Sequence, residues 1–162
     1  MVALITRIVK ADNSFSYDPE LLTPVQHPHD DGVWLGDISA LGRVPSGVDV
    51  VLTLCRVNDD DLPRGIEQID IRLIDDIDPD ADPNLDFVLT DTVRLIEQLR
   101  TEGRTVLLRC VACQSRTPTV AALYGARKQN ISGLLALQNI TSVLPGAWPN
   151  SDFRKAIKRL AP

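Results

Sequence analysis

The sequence predicts an α/β fold: a central, mostly parallel twisted sheet flanked by helices. Three observations carry this expectation. Short apolar, β-branched runs alternate with longer segments whose apolar residues recur every three or four positions. The run at 48–55 is apolar except for Asp49 and Thr53, as a strand buried on both faces is. Polar loops follow the strand-like runs and lead into helix-like ones, the places where an open parallel sheet gathers its functional residues.

In chain order, residues 2–9 and 33–35 read as short strands, and 48–55 as a stronger one. In 66–74, Ile69, Ile71 and Leu73 alternate with Asp70 and Arg72, the pattern of a half-buried strand. An acidic loop follows at 75–83, where Pro79 and Pro83 exclude regular structure. Asn84 is placed to cap a helix carrying Leu85, Val88, Leu89, Thr92, Ile96 and Leu99, ended by Gly103. Residues 105–109 form another short strand, and 110–116 a polar loop. Thr117 as cap and Pro118 at the first helical position open a helix running to 129. Helices at 132–143 and 151–160 complete the chain, with Pro145, Gly146 and Pro149 between them. Trp34, Leu35, Leu134, Leu135 and Leu137 are assigned to the core, as large apolar residues at strand or helix spacing usually are.

Composition narrows the class. The 162 residues, 44% of them hydrophobic, suit a single domain spanning 1–162 with no need of metal or disulfide. No apolar run reaches membrane-spanning length, and no basic region precedes an apolar stretch at the N-terminus. With three cysteines a secreted disulfide framework is not expected, so the default is a cytoplasmic protein. Of the 22 acidic residues 18 are Asp, eleven of them between 59 and 91, and the net charge is −5. That balance gives nucleic acid and anionic membranes no basic footprint. The one dense basic run, Arg154, Lys155, Lys158 and Arg159, reads as cations complementing a helix C-terminus. His27 and His29 flank Pro28 and read as an exposed loop before Val33.

The chemistry concentrates in Val-Leu-Leu-Arg-Cys-Val-Ala-Cys-Gln-Ser-Arg-Thr-Pro at 106–118. A buried strand runs into a loop that begins at Cys110 and ends at Arg116, at the mouth of a helix. The backbone N–H groups of Val111, Ala112, Cys113, Gln114, Ser115 and Arg116 can converge on a phosphate there, and the helix N-terminus adds partial positive charge. The same field favours the thiolate, the reactive form of Cys110. Arg116 offers a planar fork of donors to two phosphoryl oxygens, and Thr117 can hydrogen-bond the thiolate or assist its departure.

These residues resemble the dual-specificity branch of the cysteine-dependent protein tyrosine phosphatases. That family carries His-Cys-x-x-Gly-x-x-Arg-Ser/Thr, and its Cys and Arg fall on Cys110 and Arg116. Val33-Trp-Leu-Gly-Asp37 looks like its N-terminal strand motif, and Ile71-Arg-Leu-Ile-Asp75 is similar to the segment that delivers its general acid. Pro149-Asn150-x-x-Phe153 resembles its closing helix. The resemblance implies hydrolysis of phosphate monoesters through a phosphocysteine, without cofactor or metal, on phosphorylated proteins or small phosphate esters. Cys110 would be the nucleophile, Arg116 the transition-state clamp and Asp75 the general acid, with Asp76 and Asp78 as rivals. Two positions depart from the family pattern. Arg109 replaces a His that braces the loop, and Cys113 replaces a Gly, at a strain cost of about 1–2 kcal/mol if the position needs positive φ. A phosphate-binding pseudophosphatase is therefore the main alternative.

Cys110-x-x-Cys113 also has the spacing of a thiol oxidoreductase, a reading that leaves Arg116 and the tail motif without a role. The resemblance further implies a redox partner for Cys110: Cys55, ending a buried strand, ahead of Cys113 in the same loop. Substrate identity and oligomeric state are not legible from these residues.

Overall fold

The computed structural model describes residues 8–9, 15–16, 23–38, 44–56, 63–78, 80 and 82–162. Its elements run β1 (Ile8–Val9), β2 (Phe15–Ser16), β3 (Val25–His27), β4 (Asp30–Gly36), β5 (Val50–Thr53), β6 (Glu67–Asp70), α1 (Leu85–Thr101), β7 (Val106–Arg109), α2 (Arg116–Gln129), α3 (Gly133–Val143) and α4 (Ser151–Leu160). Of the strand expected at 2–9, only the two residues of β1 fall inside the described part, where they pair with β2. The main sheet has the order β3-β4-β7-β5-β6. β4, β7, β5 and β6 are parallel to their neighbours, and only β3 is antiparallel. The sheet is mostly parallel, as expected, with one edge strand the sequence did not reveal.

Alternation along the central strands splits the core in two. Val33, Leu35, Val50, Leu52, Val106 and Leu108 face the helices and join Leu89, Ile96, Val120, Leu123, Ile140, Phe153 and Ile157 in the main core. Val51 and Leu107 point the other way and meet Val48, Trp34, Val44 and Ile66. Both faces of β5 and β7 are thus buried, which explains their nearly unbroken apolar sequence.

Several elements differ from their expected form. β6 stops at Asp70 rather than 74, because an edge strand has one neighbour and nothing beyond Thr53 of β5 continues the ladder. Helix α2 begins at Arg116, so Ser115 occupies the cap position and Thr117 and Pro118 lie within the first turn. Proline is tolerated there because the first four N–H groups of a helix have no intrahelical acceptor. Asn84 precedes α1 as expected, yet its side chain makes no capping bond. Gly103 ends that helix at φ +77, a conformation that a Cβ disfavours.

Leu134 and Leu135 are not core residues: they are 58% and 44% exposed on the first turn of α3. The turn's inward positions are taken by Gly133 and Ala136, since α4 passes close beside it. Nor do the histidines form an exposed loop. His27 is buried at 3% exposure in β3, and its Nε2 lies 3.0 Å from the Ala121 carbonyl while Nδ1 accepts from the His29 N–H. Its ring meets Tyr124 edge-on. Burial holds its pKa down at about 4. Beside it, Asp30 accepts from Tyr124 Oη at 2.6 Å and pairs with Arg100 and Lys128. Burial raises the Asp30 pKa, but these donors outweigh it and hold the carboxyl well below its usual range. The turn through Pro28 therefore ties β3 and β4 to α2, a tertiary role that local sequence does not signal.

Candidate active site

Register brings the site together. Gly36, Arg109, Thr53 and Asp70 form one row across β4, β7, β5 and β6, each at or near the last position of its strand. The chain leaves this row at four points on the same edge: Asp37, Cys110, Leu54-Cys55 and Ile71 onward. A parallel sheet requires this, because every strand ends on the same side.

From Arg109 the chain enters the loop 110–115 and then α2. The loop's carbonyls are bonded outward. Val111 O accepts from Ile38 N at 3.4 Å, Gln114 O from Trp148 N at 2.6 Å, and Ser115 O from Thr119 N at 3.1 Å. Among the described hydrogen bonds, none uses an N–H of residues 111–116 as donor, which leaves these groups to line the turn beside the N-terminus of a 14-residue helix. Cys113 sits at φ +53, so the position that the family fills with Gly does lie in the left-handed region. Its thiol is buried against the core.

Cys110 is 2% exposed at the base of the loop. Burial raises the thiol pKa of both other cysteines. At Cys55 the guanidiniums of Arg116 and Arg109 act against it, while Cys110 adds to it. At Cys113 the rise is large, with Cys110 adding to burial and the Thr117 hydroxyl acting against it. Both cysteines thus lie within electrostatic reach of Cys110, and all three are free thiols. Thr117, fully buried, acts on Cys113.

Arg116 reaches back over the strand ends. Its Nη1 approaches the carbonyls of Leu54 and Leu73 at 3.4 and 3.5 Å, and its Nε lies 3.8 Å from Asp75 Oδ2. Asp75 Oδ1 accepts from Ser115 Oγ at 2.9 Å and from Asn150 Nδ2 at 2.8 Å. Asn150 also donates its backbone N–H to Ser115 Oγ and caps α4 through Phe153 N. The carboxylates of Asp76 and Asp78 are spent locally, accepting the N–H groups of Asp78 and Asp80 within their own turn. Of the three rival acids, the structure brings only Asp75 to the loop.

Arg109 does not take over the bracing role of the His that it replaces. It is 1% exposed, and its Nε donates to Thr53 Oγ1 at 2.8 Å rather than bracing loop carbonyls, while Nη1 is buried without a hydrogen-bond partner. Burial lowers its pKa, opposed by Cys55 and Asp70. Sequence reasoning placed Ser115 among the phosphate-binding loop residues but missed the bond from its hydroxyl to Asp75, and it missed Asn150 as part of the site. The signal for Asn150 was present in the tail motif, but its reach to Asp75 depends on how α4 docks. Among the described residues no group of three or more His, Cys, Asp or Glu is placed to hold a metal ion.

Over 169 aligned residues, 98% of this chain is 24% identical to dual specificity protein phosphatase 1 of Arabidopsis thaliana, covering 78% of that protein. A probable dual specificity protein phosphatase of Dictyostelium discoideum is 28% identical over 79% of this chain, which spans only 32% of that longer protein. The chain is thus similar in sequence to dual-specificity protein phosphatases. The chain shares its fold with solved dual-specificity phosphatase structures. Human DUSP28 superposes with a TM-score of 0.71 at 23% identity, over 86% of this chain and 96% of that one, and DUSP15 with 0.65 at 20%, over 85% of each. No family model matches the chain.

Proposed function

We propose that this protein is a phosphoric monoester hydrolase acting on phosphorylated proteins or small aryl phosphates through a phosphocysteine at Cys110. The observation that carries the proposal is the convergence of Asp75 with Ser115 and Arg116 at the end of a Cys-x5-Arg loop. The phosphoryl group sits in the turn of N–H groups from Val111, Ala112, Cys113, Gln114, Ser115 and Arg116. The Cys110 thiolate attacks phosphorus while Asp75 gives its proton to the departing ester oxygen, so an S–P bond forms as the P–O bond breaks. Arg116 stabilises the equatorial oxygens in this transition state. Water then attacks the phosphocysteine, Asp75 takes its proton, and the S–P bond breaks to release phosphate and the thiolate, with Thr117 assisting that departure.

Cys110 also serves in this reading as a peroxide-sensitive thiolate. Peroxide oxidises it to sulfenic acid, and the Cys55 sulfur then attacks that sulfur, so an S–S bond forms as the S–O bond breaks and the hydroxide leaves with the thiol proton as water. Cys113 is the competitor, but a bridge to it would distort the loop. Peroxide treatment, reduction and peptide mapping of wild type, Cys55→Ser and Cys113→Ser test the pairing: Cys55→Ser should lose thiol-recoverable activity. Equal recovery in both variants would remove the switch.

The catalytic proposal is tested by hydrolysis of an aryl phosphate in the presence of a chelator, comparing wild type with Arg116→Ala. Loss of several orders of magnitude in kcat is expected. An inert wild type that still binds phosphate would support the pseudophosphatase, and thiol-disulfide exchange through Cys110 and Cys113 the oxidoreductase. The organisation of 1–162 as one catalytic domain in the cytoplasm is part of the same reading. No described helix is long and apolar enough to cross a membrane.

A further inference from the structure

The basic run of α4 is not simply a neutralised helix end. Arg159 is tied to Asp86 and Lys155 to Asp152, whereas Arg154 and Lys158 have no carboxylate partner among the described residues. Two unpaired cations on one helix are notable in a chain with a net charge of −5. They border a groove of about 360 Å³ between α3 and α4, whose apolar lining comes from Leu134, Leu137 and Ile157. The two helices approach closely at one end of the groove: a Cβ on Gly133 would come within 2.5 Å of the Ile157 carbonyl. Leu134 and Leu137 also border a neighbouring hollow beside Gln138 and Thr141, which carries the apolar surface along α3.

This surface is continuous with the catalytic loop. Trp148 is 74% exposed, its ring lies 4.9 Å from the Arg154 guanidinium, and its backbone N–H is bonded to the Gln114 carbonyl within the loop. A chain leaving the phosphate site on this side meets first an indole, then a guanidinium, then leucines flanked by an ammonium group.

We propose that the α3–α4 groove docks an acidic, leucine-bearing segment of the phosphoprotein substrate, lying next to the phosphorylated residue. The proposal rests on the phosphatase reading and names its substrate class. Leucine side chains of that segment bury against Leu134 and Leu137, and its carboxylates pair with Arg154 and Lys158. A second copy of this chain is a poorer occupant, since a symmetric contact through this face would set Arg154 and Lys158 against their own counterparts.

The test uses a fluorescein-labelled phosphotyrosine peptide with a Glu-Leu-Glu-Glu-Leu tail, a second peptide with the tail replaced by Gly and Ser, and the tail alone without phosphate. Wild type should show kcat/KM about tenfold higher for the acidic-tailed substrate, and anisotropy should report binding of the unphosphorylated tail. The double variant Arg154→Glu/Lys158→Glu, and separately Leu134→Ser, should abolish both effects while hydrolysing a small aryl phosphate within about twofold of wild type. An inactive wild type that still binds the tail would sink the phosphatase reading and leave docking standing. Equal kcat/KM for the two substrates, no effect of the variants, or sedimentation showing that the variants dissolve a dimer would overturn the docking proposal.

Discussion

Ser115 and Asp75 are 40 positions apart in sequence, yet Ser115 Oγ donates to Asp75 Oδ1 at 2.9 Å. The bond joins the end of the Cys110–Arg116 loop to the segment leaving β6, and Asn150 at the head of α4 donates to the same oxygen. Three elements from separate parts of the chain thus fix one carboxyl beside the loop. Asp75 Oδ2 is free of these two donors and lies 3.8 Å from Arg116 Nε.

Asp75→Asn is therefore expected to lower kcat by about 10²–10⁴-fold for poor leaving groups and far less for activated aryl phosphates, which need little protonation. Asp76→Asn and Asp78→Asn, which disturb only an exposed turn, should stay within a few-fold of wild type. Steady-state rates across a series of leaving groups check this, and a steeper leaving-group dependence in Asp76→Asn than in Asp75→Asn would reassign the acid.

Asn150 has two separable duties: Oδ1 caps α4 and Nδ2 holds Asp75. Asn150→Ala should lose about 1 kcal/mol of stability together with activity. Asn150→Ser restores a capping oxygen but removes the donor without setting a second carboxylate against Asp75, so its stability should largely recover while its activity on poor leaving groups does not. Denaturant melts alongside kinetics separate the two, and recovery of both would show that Asn150 acts only as a cap.

At φ +53, Cys113 stands where a side chain is strained. Cys113→Gly should be more stable than Cys113→Ala by about 1 kcal/mol, the reverse of the usual order at a buried site. Equilibrium unfolding of the two variants measures the difference directly, and Ala exceeding Gly would mean that buried contact outweighs backbone strain.

His27 makes stability acid-sensitive. Its pKa is about 4 when folded against 6.5 ordinarily, so the unfolded chain binds more protons between these values. Stability from keeping it neutral is intact above pH 6.5, declines as pH falls toward 4, and totals about 3 kcal/mol by linkage. Asp30, whose carboxyl is held below its ordinary value, adds its own loss only at lower pH. Stability measured from pH 7.5 to 4.5 should fall steeply in wild type and more gently in His27→Gln, and parallel curves would remove His27 as the source.

What could be read from the sequence was what local pattern encodes. Both faces of β5 and β7 are buried, so their apolar runs were visible, and Cys110 and Arg116 are bound to one loop by covalent spacing. Asp75 was legible as a candidate through the resemblance of Ile71-Arg-Leu-Ile-Asp75 to the family's general-acid segment. What stayed hidden depends on packing between distant segments. β3 is three residues long and ends at a proline, and nothing local announces that His27 is enclosed by α2. The leucines at 134 and 135 looked like core because an apolar residue on a helix does not reveal which face meets a neighbour, and here Gly133 takes that position.

The central claim is that Cys110 carries the phosphoryl group. Wild type and Cys110→Ser, each mixed with an aryl phosphate under metal-free conditions and acid-quenched during turnover, should differ in one decisive way. Wild type should release aryl alcohol and yield a phosphorylated peptide whose label maps to Cys110, whereas Cys110→Ser should bind phosphate but release no alcohol. Undiminished turnover in Cys110→Ser, or a phosphoryl group mapped to any other residue, would contradict the account.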